Sequence, residues 1–135
     1  MKPISVLFVP ALVMMAALPV RAGEYAVLKE EIATARKTLV TMLLYVEKRG
    51  PDQQKLVKDS ADAVSTHLSK LKAPEGKSAE FKELKETWEA FKKTREKELV
   101  PAILAGEKAK YDKLGAGIQK ERLDRMYVLI PLLEK

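Results

Sequence analysis

Leu28, Ile32, Ala35, Leu39, Met42 and Val46 follow one another at steps of four and three without a miss, and every charged neighbour falls off that line. A row with that period is a helix with one apolar stripe, and it needs partners of the same kind to bury the stripe against. Three more stretches supply them. Val57, Ala61, Val64, Leu68 and Leu71 repeat the spacing; so do Phe81, Leu84, Trp88 and Phe91, a row that continues through Arg95, Leu99 and Ala102; and Tyr111, Leu114, Ile118, Met126, Leu129 and Leu133 form a fourth row, with Arg122 where another apolar residue belongs. No stretch alternates with the period of a strand. The expected fold class is all-α: an up-down-up-down antiparallel four-helix bundle over residues 23–135.

The boundaries are marked by breakers. The first helix spans Glu24 to Arg49 and stops at Gly50 and Pro51; the second runs from Asp52 to Leu71; Lys72 to Lys77, with Pro74 and Gly76, is a loop. The third opens on Ser78 as N-cap, bends at Pro101, which has no N–H for the carbonyl of Lys97, and closes at Gly106 in the left-handed conformation. The fourth covers Glu107 to Leu133 and is weakened by Gly115 and Gly117, each worth about 1 kcal/mol less than alanine in a helix interior. The end of the bundle near residues 105–110 is therefore the expected mobile end.

Residues 1–22 carry Lys2, an apolar run from Ile4 to Val20, and the small residues Val20 and Ala22 around Arg21, the pattern of a cleaved export signal. An uncleaved membrane anchor is the competing reading, which Pro10 and Pro19 weaken. Losing Lys2 and Arg21 takes the net charge from +6 to +4. The remaining charges alternate in sign, as in KEEIATARK, which is the pattern of solvated helix faces and not of a nucleic-acid track. The chain has no cysteine, so disulfides and thiolate metal sites are excluded. With no Ser/His/Asp set, paired catalytic carboxylates, phosphate loop or metal-ligand spacing, the sequence reads as non-enzymatic, with no resident metal or cofactor.

The segment TREKELVPAILAGEKAKYDKL, entered from Trp88 and Phe91, resembles the periplasmic four-helix-bundle sensor domain of methyl-accepting chemotaxis receptors. In helix order and length the likeness covers residues 24–133; its specific part is Trp88 to Leu114. It implies a periplasmic module that senses or binds a small molecule or a partner protein, and that forms a homodimer through the first helix. Receptors of that family continue into a second membrane span and a signalling region. Here the fourth helix is followed only by Glu134 and Lys135, so the expectation is a standalone module.

Three arginines stand out as candidate ligand-binding residues. Arg95 and Arg122 interrupt apolar rows, and Arg36 falls at a similar level on the first helix, so together they form an expected site for a small organic anion. The competing account pairs Arg95 with Glu98 and Arg122 with a neighbouring acid, both reaching water. His67, the only histidine, with Met126 suggests the His and Met axial ligation of a haem-binding electron carrier; a flanking, half-exposed histidine is the plainer reading. A chaperone-like protein that binds exposed peptides is the third functional class.

Overall fold

The computed structural model describes residues 9–135, with side chains described from residue 23 onward. The helices are α1 (Val9–Leu44), α2 (Pro51–Lys70), α3 (Ser78–Thr94), α4 (Val100–Leu104), α5 (Lys108–Ala116) and α6 (Ile118–Glu134), with a 3-10 turn at Val46–Lys48 and a π turn at Arg95–Leu99. They make four rods: α1, α2, α3 continuing through the π turn into α4, and α5 continuing into α6. Among the described residues there is no strand. α1 packs on α2 and α6, and α3 packs on the same two helices, so the rods close a ring around one interior. The export signal or anchor expected over residues 1–22 lies outside the described side chains. No helix of the described residues is long and apolar enough to cross a membrane.

The interior is the expected set of rows, with three corrections. Leu28, Ile32, Ala35, Leu39 and Met42 are buried in α1, but Val46 is 70% exposed because α1 ends at Leu44. Tyr45 turns extended there, and Arg49 folds back to satisfy the open end: its Nε and Nη2 donate to the carbonyls of Met42 and Leu43, and its Nη1 to that of Ile103 on α4. One side chain thus caps a helix and fastens it to another. The α1 row is consumed inside the chain, against α2 and α6, and is not a free seam. The second correction is at α3, where Ser78 is the first helical residue and Lys77 holds the cap position with no side-chain cap bond.

The third correction is in the fourth rod. Gly117 interrupts it, and the interruption rotates the buried face: Ile118 is 42% exposed while Gln119 is 4% exposed, and Leu123 enters the core where Arg122 was expected. A Cβ on Gly117 would sit 2.8 Å from the Lys113 carbonyl oxygen, whereas one on Gly115 meets nothing within 4 Å. Gly117→Ala is therefore expected to destabilise by about 1–3 kcal/mol, as overpacking against backbone does. Gly115→Ala, in a helix interior with room, is expected to stabilise by up to about 1 kcal/mol. Urea midpoints of the two variants check the pair, and equal shifts of the same sign would contradict this reading of the break.

Where a bend is expected at Pro101, the backbone carries the π turn just before it. Val100 N–H reaches back five residues to the Arg95 carbonyl, which widens the turn that the proline ring would otherwise crowd. The following Gly106, with φ +73°, ends α4 as expected. Gly106 N–H bonds to Ile103 O at 3.1 Å and Glu107 N–H to Ala102 O at 2.8 Å, the paired closure that a left-handed glycine permits.

Candidate binding site

The apolar interior falls into two clusters. One holds Leu28, Ile32, Leu84, Trp88, Met126 and Leu129 with their neighbours; the other holds Leu39, Met42, Leu99, Ala102, Ile103 and Tyr111. Arg95 lies among them with 0% exposure, at the first residue of the π turn. Its Nη1 donates to the Ala35 carbonyl of α1 at 2.7 Å and its Nη2 to the Val57 carbonyl of α2 at 2.8 Å. Around it, Thr38 and Ser60 share a hydroxyl bond at 2.9 Å, and Gln53 Nε2 donates to Thr38 O at 2.8 Å. A polar layer therefore crosses the core.

No ion pair of the described residues includes Arg95. Two carbonyl dipoles and, more weakly, the Thr38 hydroxyl at 3.5 Å hold the charge, and Nε has no acceptor. Burial pushes the guanidinium down to about 10, with nearby Glu96 opposing the fall, so it stays charged at neutral pH. The expected Glu98 pairing does not form, and the side chain does not reach water.

Arg122 belongs to a different contact. Its Nη1 donates to Thr94 Oγ1 at 2.8 Å and Gln119 Oε1 at 2.9 Å, and more weakly to Ala90 O; Gln119 Nε2 in turn donates to Phe91 O. This couple clamps α6 to the last turn of α3, with no acid involved. Arg36 is exposed on α1. The structure does not bring the three arginines together: Arg95 points between α1 and α2, Arg122 lies on α3, and Arg36 sits on a groove of its own.

That groove has a volume of about 620 Å³ and runs between α1, the π turn, α5 and α6. Its apolar lining comes from Leu39, Val40, Leu43, Phe91, Leu99 and Leu123; its polar rim from Arg36, Asp112, Lys120, Asp124 and Tyr127. Two sequence irregularities border it. The π turn contributes Leu99, and the glycine break contributes Gly115 and Ala116, where no large side chain fills the space. Burial raises the Tyr127 phenol above its usual range despite the Arg36 charge that lowers it, so it faces the groove as a neutral hydroxyl. On the rim Lys120 is paired with Asp124 at 2.7 Å and Asp112 with Lys108. Arg36 takes part in no ion pair among the described residues.

His67 and Met126 are also apart in role. His67 Nδ1 lies 2.5 Å from Glu31 Oε1, across the α1–α2 contact, while Met126 is fully buried in the larger apolar cluster. Neither lines the groove. Sequence reading missed Gln119, Arg49, Thr38 and Ser60. Only Gln119 left a signal, since a helix interrupted at Gly117 is free to rotate its buried face by one residue.

Compared with known protein families, curated proteins and solved structures, the chain matches none.

Proposed function

We propose that this chain is a non-enzymatic, exported helical binding module that takes a small amphiphilic organic anion in the groove between α1, α5 and α6. In this reading residues 1–22 are the export signal, the four rods run alternately up and down, and the module works in the periplasm as chemoreceptor sensor domains do. The observation that carries it is the Arg36 guanidinium, in no ion pair among the described residues, on the rim of a groove with an apolar floor: a carboxylate on Arg36 would leave the ligand's apolar part over Leu39, Phe91 and Leu123. The haem-carrier reading lacks such support, because His67 faces Glu31 and Met126 faces the core.

The test is a calorimetric titration with small aromatic carboxylates, phenylacetate and indole-3-acetate, after a thermal-shift screen, since a binder must raise the melting temperature. Arg36→Ala is expected to weaken binding about tenfold, the worth of one charge-assisted hydrogen bond at about 1.5 kcal/mol. Unchanged affinity in Arg36→Ala would remove Arg36 from the site and the proposal with it.

A further inference from the structure

The groove has a direction, and we infer from it that the ligand is a linear medium-chain carboxylate, an acid of about eight to ten carbons lying lengthwise with its carboxylate at Arg36. The inference rests on the proposed anion site in this groove and narrows its ligand class. On α1 the lining residues Arg36, Leu39, Val40 and Leu43 fall on one stripe along the helix. On the fourth rod Tyr111, Gly115, Gln119, Leu123 and Tyr127 step by four along the facing wall. Arg36 acts on the Tyr127 phenol at one end, and Leu43 packs on the cluster that contains Tyr111 at the other, so the stripes face each other along their length. The volume of about 620 Å³ is therefore a trough along the bundle, and it is more than one aromatic ring fills.

One end of the trough is charged and the other is not. Around Tyr127, Lys29 lies 5.8 Å from the ring, Glu30 also acts on the phenol, and Lys120 is paired with Asp124 at 2.7 Å. Glu30 offsets Lys29 and Asp124 offsets Lys120, which leaves Arg36 as the unbalanced charge among the described residues there. At the far end Asp112 is paired with Lys108, and Arg49, near the Tyr111 ring, spends its donors on three backbone carbonyls. Leu43 and Leu99 supply an apolar wall, and Gly115 leaves room beside them. The stripe from Arg36 to Leu43 is about 10 Å long at the helical rise, and an extended chain advances about 1.2 Å per bond, so about eight carbons beyond the carboxylate reach its end. A single-ring acid held at Arg36 would leave Leu43 and Leu99 uncovered.

Sodium butanoate, hexanoate, octanoate, decanoate and dodecanoate, each kept below its micellar range, are titrated into the full exported chain by calorimetry. Affinity is expected to rise about two- to fourfold for each added methylene, the range between half and full burial of the group, and to level off near decanoate, where the tail leaves the trough. 1-Octanol, with the tail and no charge, is expected to bind about tenfold more weakly than octanoate. Gly115→Leu, whose side chain enters open space in the trough, is expected to lower octanoate affinity about tenfold and to leave butanoate affinity unchanged. Aromatic acids that bind while octanoate binds no tighter than butanoate overturn the linear ligand and leave the anion site in place. Affinity that climbs through dodecanoate without levelling, octanol that matches octanoate, or an octanoate affinity untouched by Gly115→Leu also overturns it. If no carboxylate binds, linear or aromatic, the anion site falls as well.

Discussion

Arg95→Ala is expected to lose about 3–5 kcal/mol of stability, and Arg95→Met to lose about 1 kcal/mol at most or to gain. Alanine removes the whole of one of the largest fully buried side chains and leaves a void between α1, α2 and the π turn. It also leaves the hydroxyls of Thr38 and Ser60 beside that void. Methionine refills most of the space with apolar atoms and takes away a charge that has no counter-ion. The direction follows from the proton. The folded state holds the Arg95 proton less tightly than the unfolded chain does, with burial lowering the group to about 10, so the charge opposes folding at pH 7. That opposition is present below about pH 10 and fades as pH rises through it. The Ala35 and Val57 carbonyls lose little in Arg95→Met, since each sits in a regular helical turn. Urea unfolding of the two variants at pH 7 measures the difference. If Arg95→Met is as unstable as Arg95→Ala, the guanidinium is a structural tie, and its charge does not oppose folding.

Trp88→Ala is expected to lose about 3–5 kcal/mol as well, for a plainer reason. Trp88 is fully buried in the larger apolar cluster, its ring centroid 5.6 Å from that of Phe91, and its Nε1 donates to Ser65 Oγ on α2 at 2.9 Å. Ser65→Ala, which orphans the indole donor but keeps the packing, is expected to lose about 1–3 kcal/mol. The comparison separates packing from hydrogen bonding. Denaturant midpoints with unchanged m-values check both variants, and a loss in Ser65→Ala equal to that in Trp88→Ala would mean the ring's packing contributes nothing.

The rows were legible because periodicity is a property of the chain itself. Val57, Ala61, Val64 and Leu68 are buried as their spacing requires, and so are Phe81, Leu84, Trp88 and Phe91. Gly106 closed its helix because few other residues accept its dihedral. The misses share one cause: each depends on where a helix loses or gains a residue. Val46 was read onto the α1 stripe, but the stripe stops when Arg49 caps the end. Ile118 and Arg122 fall on the apolar row only of a helix that keeps its phase through Gly117, and the break there turns both off the core face.

The site was legible only as an anomaly. Arg95 and Arg122 did break apolar rows, and both have distinct polar environments, but a helical wheel cannot say which neighbour a long side chain will reach. Arg95 reached α1 and α2 because the π turn aims it inward; Arg122 reached α3 because the glycine break moved it off the core face. Arg36, which looked least unusual, lines the larger groove.

The most direct test of the groove is an amide chemical-shift map of the protein titrated with indole-3-acetate. Binding in the groove predicts saturable shifts gathered at residues 36–43 of α1, at Leu99 and across 111–124, with Arg36→Ala weakening the whole set together. Saturable shifts gathered elsewhere, at the 44–50 turn for instance, or no saturable shift with any aromatic carboxylate, would contradict it.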